Sequence, residues 1–178
     1  MDFRELAKRR LSQLIEDEQK RARIHIGLIR RQDPPPSDDR VAQTILERWV
    51  KAATVEGGLT GAAGFLGVPF NVVLFTYFQV AMVVSIAEAY GISLVGESGE
   101  EALLGVIGKA HGFDDLVRES PRILGEIAKA IALRHGLIAF GRLIPMVAAP
   151  ISAFINSREM RRTGDEALRR FGNVVMLG

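Results

Sequence analysis

No cysteine occurs among the 178 residues of the chain. Disulfide staples, thiolate zinc centres and a cysteine nucleophile are thereby excluded, and a reducing cytosol is compatible with the composition. Aromatic residues are scarce, at 7%, and none interrupts the basic clusters. The stacking platforms that bind single strands are missing, so nucleic acid is not an expected partner. Residues 1–20, MDFRELAKRRLSQLIEDEQK, carry no apolar stretch of the secretory-signal kind, and export by that route is not expected. The histidines His25, His111 and His135 share no close ligand spacing. Gly61-x-x-Gly64-x-x-Gly67 lacks the Gly-Lys-Ser/Thr ending of a phosphate loop, and Ser98 in Gly96-Glu97-Ser98-Gly99 misses the G-x-S-x-G elbow. Asp114 and Asp115 are adjacent, which suits a helix start better than a facing acid/base pair. No catalytic residue, metal ligand or cofactor is expected.

What the chain does contain is apolar sequence in helical lengths. Hydrophobic residues make up 48% and charged residues 25%, a globular balance. The mean hydropathy of +0.15 leaves membrane association open. Net charge is only +2, yet Arg and Lys gather toward the two ends, at Lys8 to Arg10, Lys20 to Arg31 and Arg158 to Arg170. Such faces suit anionic lipid, or are simply solvated helix surfaces mixed with Glu and Asp.

Apolar spacing predicts a helix over 2–22, and the alternation of Ile24, Ile26 and Leu28 weakens the helical pattern beyond it. DPPPSDD at 33–39 reads as a linker. A second helix starts after Asp38 or Asp39, with Val41, Ile45, Leu46, Trp49, Val50 and Ala53 as its stripe and Trp49 as a core anchor. Ser98 and Glu101 match a capping box for a helix over 99–110, burying Leu103, Leu104, Val106 and Ile107 and closed by Gly112. Pro121 opens another, to about Gly136. An apolar segment over 143–155, broken by Pro145 and Pro150, precedes a charged helix over 157–171. The class is all-α: a single-domain helical bundle, divided into an N-terminal charged amphipathic helix (1–32), a Pro-rich linker (33–39) and a helical domain (40–178).

The bundle is expected to form around a Gly-rich apolar hairpin. No Asp, Glu, Lys, Arg or His lies between Glu56 and Glu88. Gly57-x-x-x-Gly61 and Thr60-x-x-x-Gly64 allow close helix approach, and Pro69 marks the fold of the hairpin. Residues 69–87 give 19 uncharged positions, close to the roughly 20 a membrane span needs. A first arm over 57–68 is about 18 Å long if helical, too short to cross. The hairpin is thus either a protein core or an insertion in or on a bilayer. Phe65, Leu66, Phe70, Phe75 and Phe78 are the candidate membrane or partner contacts. Glu56, Asn71, Gln79, Glu88, Arg142 and Asn156 are candidates for a polar pocket, and a buried Arg142 is expected to pair with a Glu.

The run VEGGLTGAAGFLGVPFNVV at 55–73, followed by IAEAYGISL at 86–94, resembles the EcsC family. Its pattern is a Glu-Gly, a Thr-Gly, further glycines, a Pro turn, an apolar helix and a Tyr-Gly. IPMVAAPISAFINSREMRRTGDEALRRF at 144–171 is similar to the family's second block, with Asn156, Gly164 and Ala167 at its Asn, Gly and Ala positions. The resemblance covers about residues 40–171. Family members often carry Asp where Asn71 stands. The resemblance implies a bacterial helical protein from a family named for a locus that also encodes an ABC transporter, with membrane-associated and hydrolase roles suggested.

The expected function is non-catalytic: lipid contact, or docking to a membrane complex, at the inner face of the cytoplasmic membrane. Its partners would be an anionic surface or a membrane protein complex, with a second copy of the chain as a further candidate. The rivals are a soluble protein-interaction module whose core is the hairpin, and a hydrolase with a polar pocket between helices.

Overall fold

A computed structural model describes the backbone of residues 3–62, 68–112 and 145–177, and the side chains of 9–55, 75–112 and 155–175. The described residues form five helices and no strand: α1 (Phe3–Ile29), α2 (Asp38–Ala62), α3 (Val68–Ala89), α4 (Glu97–Ala110) and α5 (Pro145–Leu177).

Helix α1 continues past residue 22. The alternation of Ile24, Ile26 and Leu28 does not weaken it, because the helix turns Ile26 inward while leaving Ile24 71% and Leu28 55% exposed. Helix α2 is capped by Ser37 rather than by an aspartate. The Arg40 amide donates to Ser37 Oγ at 3.3 Å and the Val41 amide to the Ser37 carbonyl at 2.9 Å. Asp38 and Asp39 sit in the first turn, where they favour the positive end of the helix dipole.

The first arm of the hairpin is not a short separate segment. Gly57, Gly58, Thr60 and Gly61 continue α2, whose 25 residues span about 37 Å at ~1.5 Å each. Pro69 lies in the first turn of α3, where its missing amide has no helical acceptor to lose. Likewise Pro145 opens α5 and Pro150 sits in its second turn, so the expected apolar segment and charged helix are one element of 33 residues. Ser98 is exposed in the first turn of α4 and caps nothing. Gly96, with φ +94°, takes the cap position without a side-chain bond. Gly91 (φ +72°) and Gly112 (φ +81°) end α3 and α4 in the left-handed region open to glycine. Asp114, Asp115, the expected helix from Pro121 to about Gly136, and His135 lie outside the described residues.

Helix α3 supplies the centre. Phe75, Met82, Val83, Val84 and Ile86 are enclosed, in one apolar cluster with Ile15 and Ile26 of α1, Val41, Ile45 and Leu46 of α2, Leu103 and Val106 of α4, and Met160 and Phe171 of α5. Each such side chain contributes about 1.5–3 kcal/mol of transfer energy. Trp49 packs half-buried on Phe78, ring centroids 5.3 Å apart, as a wall of this core. Helix α2 runs antiparallel to both α3 and α5. Tyr90, at the end of α3, ties the three together: its hydroxyl donates to Asp39 at 2.7 Å, and it packs against Gly172.

Two glycines set close approaches. A Cβ on Gly164 would enter the Leu46 side chain, and one on Gly99 would enter the Leu94 main chain. Gly164→Ala is expected to lower stability by about 1–3 kcal/mol, because Leu46 can shift only by disturbing the core. Gly99→Ala should cost more, since the obstacle is backbone. Urea unfolding followed by circular dichroism checks both values and their order.

Candidate functional site

Two polar assemblies interrupt this apolar packing. The first is buried between α3, α4 and α5. Gln79, fully enclosed on α3, places Nε2 2.8 Å from His111 Nε2 and 3.0 Å from Thr163 Oγ1. The Thr163 hydroxyl donates in turn to the Glu159 main-chain oxygen at 3.1 Å. His111 Nδ1 lies 3.3 Å from Glu159 Oε2, and the His111 side chain is only 5% exposed. Gln79 Nε2 donates to the Thr163 hydroxyl and lies within hydrogen-bond distance of His111 Nε2. His111 thus has Gln79 at one ring nitrogen and the Glu159 carboxylate near the other, and the Thr163 hydroxyl links Gln79 to the α5 main chain. The arrangement ties α3, α4 and α5 together through side chains buried between them.

The candidates named from sequence fall in different places. Gln79 and Asn156 are both fully buried, on α3 and on the face of α5 that carries Thr163. Glu88 lies well along α3 from Gln79, with its side chain 14% exposed. It accepts from Gln19 Nε2 at 2.7 Å and from Arg23 Nε at 2.8 Å. Its described cationic partner is Arg23 of α1. Arg142, and the side chains of Glu56, Asn71, Phe65, Leu66 and Phe70, lie outside the described residues. Phe75 is not a surface contact but a wholly buried core residue, and Phe78 is half-buried against Trp49. His111 and Thr163 were not legible as partners of Gln79, since separations of 32 and 84 residues give no local spacing signal.

The second assembly is a groove of about 260 Å³ where α1 crosses α2 and α3. Its floor is Ala22, Ile26 and Ile45, with Trp49 beside them. At one end buried Glu18 accepts from Arg21 Nη1 at 2.6 Å and from the Tyr77 hydroxyl at 2.8 Å. At the other end Arg48 Nη1 lies 2.5 Å from His25 Nε2. No carboxylate among the described residues pairs with Arg48, so a guanidinium faces a ring that is itself able to carry a positive charge. Burial, then the charge of Arg48, hold the His25 pKa below its ordinary value. Burial and the Glu18 contact push the Tyr77 hydroxyl up. Among the described residues no cluster of three or more His, Asp or Glu could hold a metal ion.

The fold and sites define an all-α bundle with a polar clamp inside it and a cationic groove on its flank. Comparisons with protein families, with characterised proteins and with solved structures give no match.

Gln79→Ala removes the donor that satisfies both His111 and Thr163, and should lower unfolding free energy by about 1–3 kcal/mol. Denaturant melts of the variant check this. The His25 shift has its own signature. The folded ring holds its proton less tightly than the unfolded one, so this group is without penalty above the ordinary histidine value of about 6.5 and costs stability as pH falls through the window below it. His25→Gln should therefore flatten the loss of stability between neutral and mildly acidic pH, measured as the difference in melting temperature from wild type.

Proposed function

We propose that this protein works without catalysis of its own at an anionic membrane surface, by lipid contact or by docking to a complex held there. The inner face of the cytoplasmic membrane is the location that goes with this reading. The observation carrying it is the outer strip of α1. Among the described residues of that helix, Ile24 and Leu28 are the exposed large apolar side chains, one turn apart, with Lys20 one turn before and Arg31 just beyond. An apolar pair bracketed by long cationic side chains matches an interfacial helix, whose aliphatic groups enter the headgroup region while Lys and Arg reach phosphates. Each basic residue near such a surface adds about 1 kcal/mol.

Insertion of α3 along its length is not part of the proposal. Its residues from Phe75 to Ala89 are taken up by the core, and among the described residues no helix is long and apolar enough to cross a membrane. The burial of Phe75 favours a second reading, a protein-interaction module that presents the α1 strip to a partner protein.

Cosedimentation separates the two. Wild-type protein should pellet with phosphatidylglycerol vesicles, pellet less at high salt, and stay in solution with phosphatidylcholine alone. Ile24→Asp with Leu28→Asp should weaken binding at least tenfold with the melting temperature unchanged. Protein that stays in the supernatant under every condition contradicts direct lipid contact and supports the interaction module.

A further inference from the structure

The groove between α1, α2 and α3 is not explained by the membrane strip or by the internal clamp. Its Glu18 is already shared between Arg21 and Tyr77. Its Arg48 has the His25 ring as its described partner, and the guanidinium charge disfavours a proton on that ring. An anion bound beside both groups reverses this: His25 gains a proton, and the ring and the guanidinium donate to the same ligand.

We propose that this groove binds a phosphate group, with Arg48 and His25 as its ligands and Ala22, Ile26, Ile45 and Trp49 holding an organic substituent. Three features select phosphate. The guanidinium fork matches phosphate oxygens two at a time. The imidazolium, on the opposing helix, supplies a further donor to a remaining oxygen. The groove, about 260 Å³ with an apolar floor, exceeds a bare ion and suits a phosphate ester. Arg48 of α2 contacts His25, and the other ionisable groups lining the same groove are Tyr77 from α3 and Arg21 and Glu18 from α1. Glu18 is neutralised by Arg21, so the balance at His25 favours an anion. The inference stands on the groove alone. A free phosphate ester and a lipid headgroup share this chemistry, and the second source would join the site to the membrane reading.

The test follows the His25 ring by NMR, in the whole chain, while inorganic phosphate and then glycerol phosphate are added. Millimolar ligand should raise the pH at which His25 titrates by about one unit, the equivalent of a tenfold preference for the protonated ring. Glycerol phosphate should bind more tightly than the bare ion. Arg48→Gln should weaken binding at least tenfold, and Arg48→Lys less, both with wild-type melting temperatures. A His25 titration indifferent to both ligands overturns the proposal, as does Arg48→Gln binding like wild type. Vesicle pelleting then identifies the source. Arg48→Gln protein that no longer pellets with phosphatidylglycerol places a headgroup in the groove. The same variant pelleting like wild type assigns the groove to a soluble phosphate ester and leaves the α1 strip as the membrane contact. Leu28→Asp protein that keeps phosphate binding shows that the two sites fail separately.

Discussion

Helix α3 has no polar face, and that constraint shapes the rest of the molecule. Its sequence from Val68 to Ala89 carries one charge, Glu88, near its end. A helix apolar on every side gains by being enclosed on every side. Helices α1, α2, α4 and α5 do this for the half from Phe75 onward, each giving one apolar stripe to the same cluster. Enclosure needs close approach, and Gly164 against Leu46 and Gly99 against Leu94 supply it where a Cβ would hold the elements apart.

Enclosure also decides what the polar groups of α3 can do. Gln79 in the interior has to find partners there, and His111 and Thr163 meet its amide. Glu88, at the rim, reaches Gln19 and Arg23 of α1 instead. Tyr77 and Glu18 seal one end of the groove left where α1 crosses. Such groups give an apolar bundle a single register, because sliding any helix by one turn would strand them. They are committed to structure, which is why the outward strip of α1 and the Arg48–His25 end of the groove carry the functional reading.

The helical class, the centrality of α3, the stripe of α2 and the glycine stops at Gly91 and Gly112 were legible because each rests on local periodicity or backbone freedom. The readings that differed were local signals with two meanings. Alternation at Ile24, Ile26 and Leu28 looks like a weakened helix, yet on α1 it separates a core residue from two exposed ones. Proline reads as a break, yet Pro69 and Pro145 sit in first turns. Ser98 has the spacing of a cap, but the chain enters α4 through Gly96. Of the polar candidates, Gln79 and Asn156 are indeed deeply buried. The partners of Gln79 come from distant segments, and no spacing rule brings His111 or Thr163 to it.

The central claim is that the C-terminal half of α1 lies against anionic lipid. The absence of cysteine makes this directly measurable, since Leu28→Cys offers a unique attachment point for a nitroxide. With phosphatidylglycerol vesicles, the label should become more accessible to dissolved oxygen and less accessible to a water-soluble nickel complex, the pattern of a side chain entering the headgroup boundary. A label equally exposed to the nickel complex with and without vesicles would contradict the account.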